Sequence, residues 1–145
     1  MLKGRPGMNR LHVFVVAGAL VACLGAGLVR AAAVSDRTVR DGVYTAAQAK
    51  QGESVYVNKC SECHDGGLMG PELDGHEFLD SWKNKSLDNL YKKILVTMPA
   101  DNPGTLKELE ALDVLAYLLQ ANGFPAGETA IDAAAAAAVT FADRP

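Results

Sequence analysis

Cys60-Ser-Glu-Cys63-His64 gathers two thiols and an imidazole within five residues. At positions i, i+3 and i+4 these side chains fall on one face of a single helical turn. Such a face can offer two thioether bonds to the vinyl groups of one porphyrin and a nitrogen ligand to its iron. C-x-x-C-H is the attachment signature of c-type haem. Moving any of the three by one residue destroys the shared face. Two other chemistries use similar residues. A thioredoxin-like dithiol goes with a βαβ pattern, which this sequence lacks. A structural zinc site needs four ligands, with His76 as the available fourth, and adjacent Cys63 and His64 are poorly placed to converge on one tetrahedral ion. The expectation is one covalent haem c, bound through Cys60 and Cys63 and ligated by His64.

The second axial position decides what such an iron does. An open one binds gases or peroxide, whereas a methionine sulfur leaves electron transfer as its main activity. Beyond the apolar leader the chain has two methionines, Met69 and Met98. Met69 follows His64 by five residues, too few for the chain to round a haem edge and return from the opposite face. Met98 follows it by 34, with enough chain between, and Pro99 restricts the backbone just after the sulfur. Met98 is expected to be the second iron ligand. Met69 is expected to pack near the haem edge, and His76 to sit in a solvated turn. Thioether sulfur raises the potential relative to a second imidazole, and a coordinatively full iron rearranges little on changing oxidation state.

The elements that position these residues read as short helices joined by Gly/Pro-rich loops. Thr45 caps a first helix running from Ala46 to about Cys60. The stretch from Cys60 to Gly75 is a loop rich in glycine. Ser86 caps a helix with Leu87, Leu90, Tyr91 and Ile94 on one face. A second loop runs from Met98 to Gly104, and Thr105-Leu-Lys-Glu108 reads as a capping box opening the strongest helix, which Asn122-Gly123 closes. No β-branched alternation appears, so the fold is expected to be all-α, short helices packed around one covalently bound haem. The boundaries expected are a leader over 1–33, a linker over 34–44, a haem-binding domain over 45–128 and an Ala-rich tail helix over 129–145. A core drawn from about 85 residues is small, and a cofactor would complete it.

Charge is uneven. Residues 1–33 carry Lys3, Arg5, Arg10 and Arg30 and no acid, which leaves ten of the 14 basic side chains against all 17 acidic ones in the rest. A body that acidic does not suit a nucleic-acid binder. The leader itself has a positive start, the apolar run Leu11–Val29 and then Ala31-Ala32-Ala33, the pattern of an export signal. An uncleaved membrane anchor and a lipoprotein acylated at Cys23 of Leu20-Val21-Ala22-Cys23 are the competing readings. Each places the body outside the cytoplasm, in the periplasm, and the last two would tether it to the membrane.

From about Val43 to Gly127 the chain resembles bacterial class I c-type cytochromes, most closely the small single-haem ones found with quinoprotein alcohol and sugar dehydrogenases. The residues that carry the resemblance are Gly42-Val43-Tyr44-Thr45, Gln48-Ala49, Gly52 and Tyr56, the C-x-x-C-H turn, Gly70-Pro71-Glu72-Leu73-Asp74-Gly75, Thr97-Met98-Pro99 and the run from Ala116 to Gly127. The resemblance implies that Gly52 and Tyr56 cross the last helix near Val114 and Tyr117. It implies that the Pro71 carbonyl accepts the Nδ1–H of His64 and that Leu73 packs on the ring. Phe78 and Trp82 resemble aromatics beside the haem, with the Trp82 indole N–H a donor to a propionate.

These residues describe a one-electron carrier rather than an enzyme, since no catalytic triad, carboxylate pair or phosphate loop is visible. Family analogy suggests a periplasmic dehydrogenase as donor and a terminal oxidase or another cytochrome as acceptor. Lys83, Lys85, Lys92 and Lys93 could steer a partner, although a solvated helix face is the simpler reading. The alternatives are a haem sensor or peroxidase-like protein in which Met98 detaches, and a haem subunit of a larger dehydrogenase or oxidase complex.

Overall fold

The computed structural model describes residues 37–67 and 69–142. The leader, with Cys23 and its three readings, lies outside them. Among the described residues six helices follow in chain order: α1 Ala46–Lys59, α2 Ser61–His64, α3 Gly75–Trp82, α4 Leu87–Thr97, α5 Glu108–Ala121 and α6 Ala133–Ala137. Among the described residues there is no strand, only isolated bridges, and the fold is all-α. No helix among them is long and apolar enough to cross a membrane.

The fold is organised by the crossing of α1 and α5. Thr45 Oγ1 accepts the backbone N–H of Gln48 at 3.1 Å, which satisfies one of the open donors of the first turn and starts α1 at Ala46. One turn later Gly52 meets α5 directly. A Cβ there would run into the carbonyl of Asp113 and lie 2.9 Å from the nitrogen of Val114, so the two backbones touch and only glycine fits. Tyr56 closes one side of the crossing against Tyr117, their ring centroids 4.9 Å apart. From Ala111 to Leu119 every residue of α5 except Tyr117 is buried, as expected of a helix enclosed on nearly all sides.

The start of α5 differs from the sequence reading. Thr105 Oγ1 donates to the carbonyl of Asn102 at 2.8 Å, and the helix begins at Glu108. Leu106 is buried, which anchors the chain before the helix turns. The closing contact falls to Glu110, whose carboxylate accepts the Lys107 N–H at 2.9 Å and the Lys59 ammonium of α1 at 2.9 Å.

The two flanks also differ from expectation. Residues 34–44 read as a linker, yet Val39, Val43 and Tyr44 are fully enclosed, and Tyr44 donates its hydroxyl to the Phe124 carbonyl at 2.7 Å. Of the tail expected as one helix over 129–145, the described residues hold a helix only at Ala133–Ala137, capped by Asp132 Oδ1 on the Ala135 N–H at 2.7 Å. Before it, the Gln48 amide brackets Ile131, donating to its carbonyl and accepting its N–H, both at 2.9 Å. After it the chain extends and pairs with two segments. Val39 N–H donates to the Thr140 carbonyl at 3.1 Å, Leu87 N–H to the Val139 carbonyl at 2.9 Å, and Phe141 N–H to the Lys85 carbonyl at 2.9 Å. Phe141, 1% exposed, sits among Phe78, Trp82 and Phe124. Val139, Thr140 and Phe141 are poor continuations of a polyalanine helix and good extended residues, which is why the helix stops where pairing begins.

Candidate functional site

The last turn of α1 delivers the reactive pentapeptide. Cys60 N–H donates to the Tyr56 carbonyl at 2.8 Å, and the chain then re-forms a turn around the Cys60 carbonyl, which accepts the N–H groups of Cys63 and His64, each at 3.1 Å. Both thiols and the imidazole therefore belong to one tight turn, the short helix α2 with its leading residue. Cys60 is half-buried and Cys63 exposed, and both are free thiols. Burial pushes the Cys60 thiol up to about 11. A redox dithiol needs the opposite, a thiol that ionises readily.

The loop that follows folds back over His64. Gly70 N–H donates to the Cys63 carbonyl at 3.0 Å. A Cβ on Gly70 would lie 2.9 Å from His64 Cε1 and 3.0 Å from Nδ1, so a side chain there would push the imidazole aside. The Pro71 carbonyl lies 2.7 Å from His64 Nδ1. A carbonyl can only accept, so Nδ1 carries the proton and donates, and Nε2 is left as the nitrogen with a free lone pair. That is the tautomer a metal ligand needs.

His64 opens on a cleft of about 300 Å³, lined by Tyr56, Leu73, Tyr117, Leu118 and Ala121 together with the acidic residues Asp65, Glu72 and Asp74. Leu73 also packs against the main core. Asn122, at the end of α5, buckles this wall: its amide donates to the carbonyls of Leu73 at 3.0 Å and Leu118 at 2.8 Å, and its oxygen accepts the Gly75 N–H at 3.1 Å. The sequence reading saw Asn122 only as a helix stop. A side-chain amide that donates and accepts at once was the available signal.

His64, Pro71 and Leu73 thus come together, with Cys60 and Cys63 on the same turn. Met98 and Trp82 lie outside the cleft lining. Met98 caps the C-terminal end of α4, half-buried, its N–H on the Ile94 carbonyl at 3.2 Å. Met69 is 67% exposed. Trp82 is held between Phe78 and Phe141, at centroid distances of 6.3 and 6.4 Å, with the Lys85 ammonium 5.1 Å from its ring centre. Among the described residues no group of three or more His, Cys, Asp or Glu side chains is arranged to hold a metal ion.

The residues present fit a haem: two unblocked thiols one turn apart and an imidazole fixed as the Nδ1–H tautomer, its Nε2 left with a free lone pair. A helical body built in this way around a C-x-x-C-H turn defines a class I c-type cytochrome, whose haem c is covalently bound and contains iron. Residues 47–118, which span α1 to most of α5, match the model of the family described as cytochrome C oxidase, cbb3-type, subunit III, and place this chain among the c-type cytochromes. No curated protein and no solved structure matches the chain. A cytochrome c domain is an electron-transfer module rather than an enzyme.

Proposed function

We propose that this protein is a periplasmic one-electron carrier whose haem is bonded to Cys60 and Cys63 and ligated by His64 and Met98. Haem c supplies an iron that accepts and returns one electron. The chain's own residues do the rest. Cys60 and Cys63 hold the group on the α2 face. Pro71 keeps the His64 proton on Nδ1, which raises the basicity of Nε2 as a ligand. Leu73 would pack against the bound ring, and the Trp82 indole N–H would donate to a propionate. Met98, at the end of a different helix, would supply a thioether sulfur as the second iron ligand.

The observation that carries this reading is the 2.7 Å contact of His64 Nδ1 with Pro71. It readies an imidazole for a metal in a domain with two thiols beside it. The electron donor is a periplasmic dehydrogenase, and the acceptor an oxidase or another cytochrome. The leader exports the body, and through an uncleaved apolar run or a lipid on Cys23 it would also hold it at the membrane. A second reading follows from the matched family, which is described as an oxidase subunit: this chain would then be the haem subunit of a larger complex.

The discriminating variant is Met98→Ala. It is expected to retain covalent haem, lose the iron–sulfur absorption band, lower the midpoint potential and admit cyanide. An unchanged spectrum and potential would remove Met98 from the iron. Size-exclusion chromatography of a native periplasmic extract separates carrier from subunit: haem eluting only at high mass favours the complex.

A further inference from the structure

Tyr56 does more than fill the α1–α5 crossing. Its side chain is 7% exposed and its ring rests on Tyr117. Its hydroxyl passes beyond that contact and donates to Asp65 Oδ1 at 2.7 Å. Its backbone carbonyl meanwhile accepts the Cys60 N–H at 2.8 Å. One residue of α1 therefore grips the attachment turn at both ends, at Cys60 where it begins and at Asp65, directly after His64.

The grip matters because of what comes next. Gly66 and Gly67 adopt positive φ values of 80° and 65°, and nothing lies within 4 Å of where a Gly66 Cβ would stand. Gly70 holds the chain again, by its N–H on the Cys63 carbonyl. We infer that the Tyr56 hydroxyl is a positioning group for the proximal imidazole, fixing the backbone on the far side of His64 while Gly70 and Pro71 brace its ring. The inference rests on His64 being the haem ligand. The ring of Tyr56 packs the helix crossing, and the hydroxyl serves the site. Burial and the Asp65 carboxylate both raise the pKa of this phenol, so it stays a donor throughout the working range.

Tyr56→Phe separates the two roles, since it keeps the ring and removes only the oxygen. The test uses the full-length, matured protein. In Tyr56→Phe, hydrogen exchange at the His64 and Asp65 amides is expected to quicken about tenfold, as for loss of one hydrogen bond to a charged acceptor. Exchange at Leu115 in α5 stays unchanged, which a merely global loss of stability would not allow. The haem-methyl shifts of the oxidised protein, which report the orientation of the axial imidazole, are expected to redistribute. Asp65→Ala should reproduce both effects, the double variant should add nothing, and Asp65→Asn, which keeps an acceptor oxygen, should restore most of the wild-type pattern. A coloured Tyr56→Phe protein with wild-type exchange at residues 64 and 65 and wild-type methyl shifts overturns the inference and leaves the proposed function standing. A wild-type protein with no haem-methyl resonances overturns the proposed function, and this positioning role with it.

Discussion

From Ala111 to Leu119 all residues but one are buried, whereas from Cys60 to Glu77 no described residue is. The first region is the seam where α5 crosses α1. The second is the attachment turn and its covering loop. They are joined through Tyr56 and Asn122, yet they are shaped by different forces. The seam is specified by volume: Gly52 against the Asp113 carbonyl, leucines packed on every side, and a tail that seals it with Ile131 and Phe141. The turn is specified by direction, through hydrogen bonds donated by the Tyr56 hydroxyl and the Asn122 amide and accepted by the carbonyls of Cys60, Cys63 and Pro71. Each such bond contributes about 1 kcal/mol net, against about 1.5–3 kcal/mol for each large apolar side chain buried in the seam. The turn is arranged by the protein, and under the proposed function a haem bonded to it would supply the apolar surface that consolidates it.

Breaking the comparison where it is strongest means removing that surface. Cys60→Ala combined with Cys63→Ala should abolish covalent haem and leave the body largely unfolded, as circular dichroism would show. A fully helical, cooperatively melting apo variant would mean that the seam alone sustains the domain. Phe141→Ala, at the far edge of the seam, should cost about 3–5 kcal/mol in denaturant unfolding, the usual loss for a buried phenylalanine. A loss under about 1 kcal/mol would show the tail to be dispensable, as expected for an appended helix. Gly70→Ala tests direction rather than volume. It should barely alter unfolding but displace the imidazole, which resonance Raman of the iron–histidine stretch or the haem-methyl shifts would detect.

The smallest effect expected is electrostatic. The backbone N–H of Lys107, then the Lys59 ammonium, hold the Glu110 carboxyl below its ordinary pKa. A carboxyl lowered on folding adds stability above its unfolded pKa, and that share is lost as pH falls through the lower folded value. Glu110→Gln should therefore lower stability slightly near neutrality, where that share is fully present, and flatten the acid limb below about pH 4.5, where the wild type loses it. An acid limb identical to wild type would show that this helix start gains nothing from its charge.

Part of the seam was legible from local signals, since Thr45 reads as a cap and the segment closed by Asn122-Gly123 as the strongest helix. The crossing of Gly52 and Tyr56 near Val114 and Tyr117 was instead implied by the resemblance to class I c-type cytochromes. The attachment turn was legible for another reason: three chemically distinctive side chains at fixed spacing leave few alternatives. What escaped has no spacing to read. The burial of Val39 and Val43 and the pairing of Val139 and Phe141 with Leu87 and Lys85 are contacts between distant segments, and a run of alanines says helix whatever surrounds it. Thr105 and Glu108 satisfied the spacing of a capping box, but burial of Leu106 shifted the helix start and passed the role to Glu110. The Tyr56–Asp65 bond was hidden because a tyrosine on a packing face gives no sign that its hydroxyl reaches past the packing.

The account stands on a porphyrin bonded to Cys60 and Cys63. Intact-mass analysis of the matured protein, taken with its visible spectrum before and after acid–acetone extraction, tests this most directly. The expected result is a chain heavier by one haem, coloured, with the colour retained in the protein after extraction and lost when both cysteines are replaced. A chain at its bare polypeptide mass, or one whose colour leaves with the solvent, would contradict it.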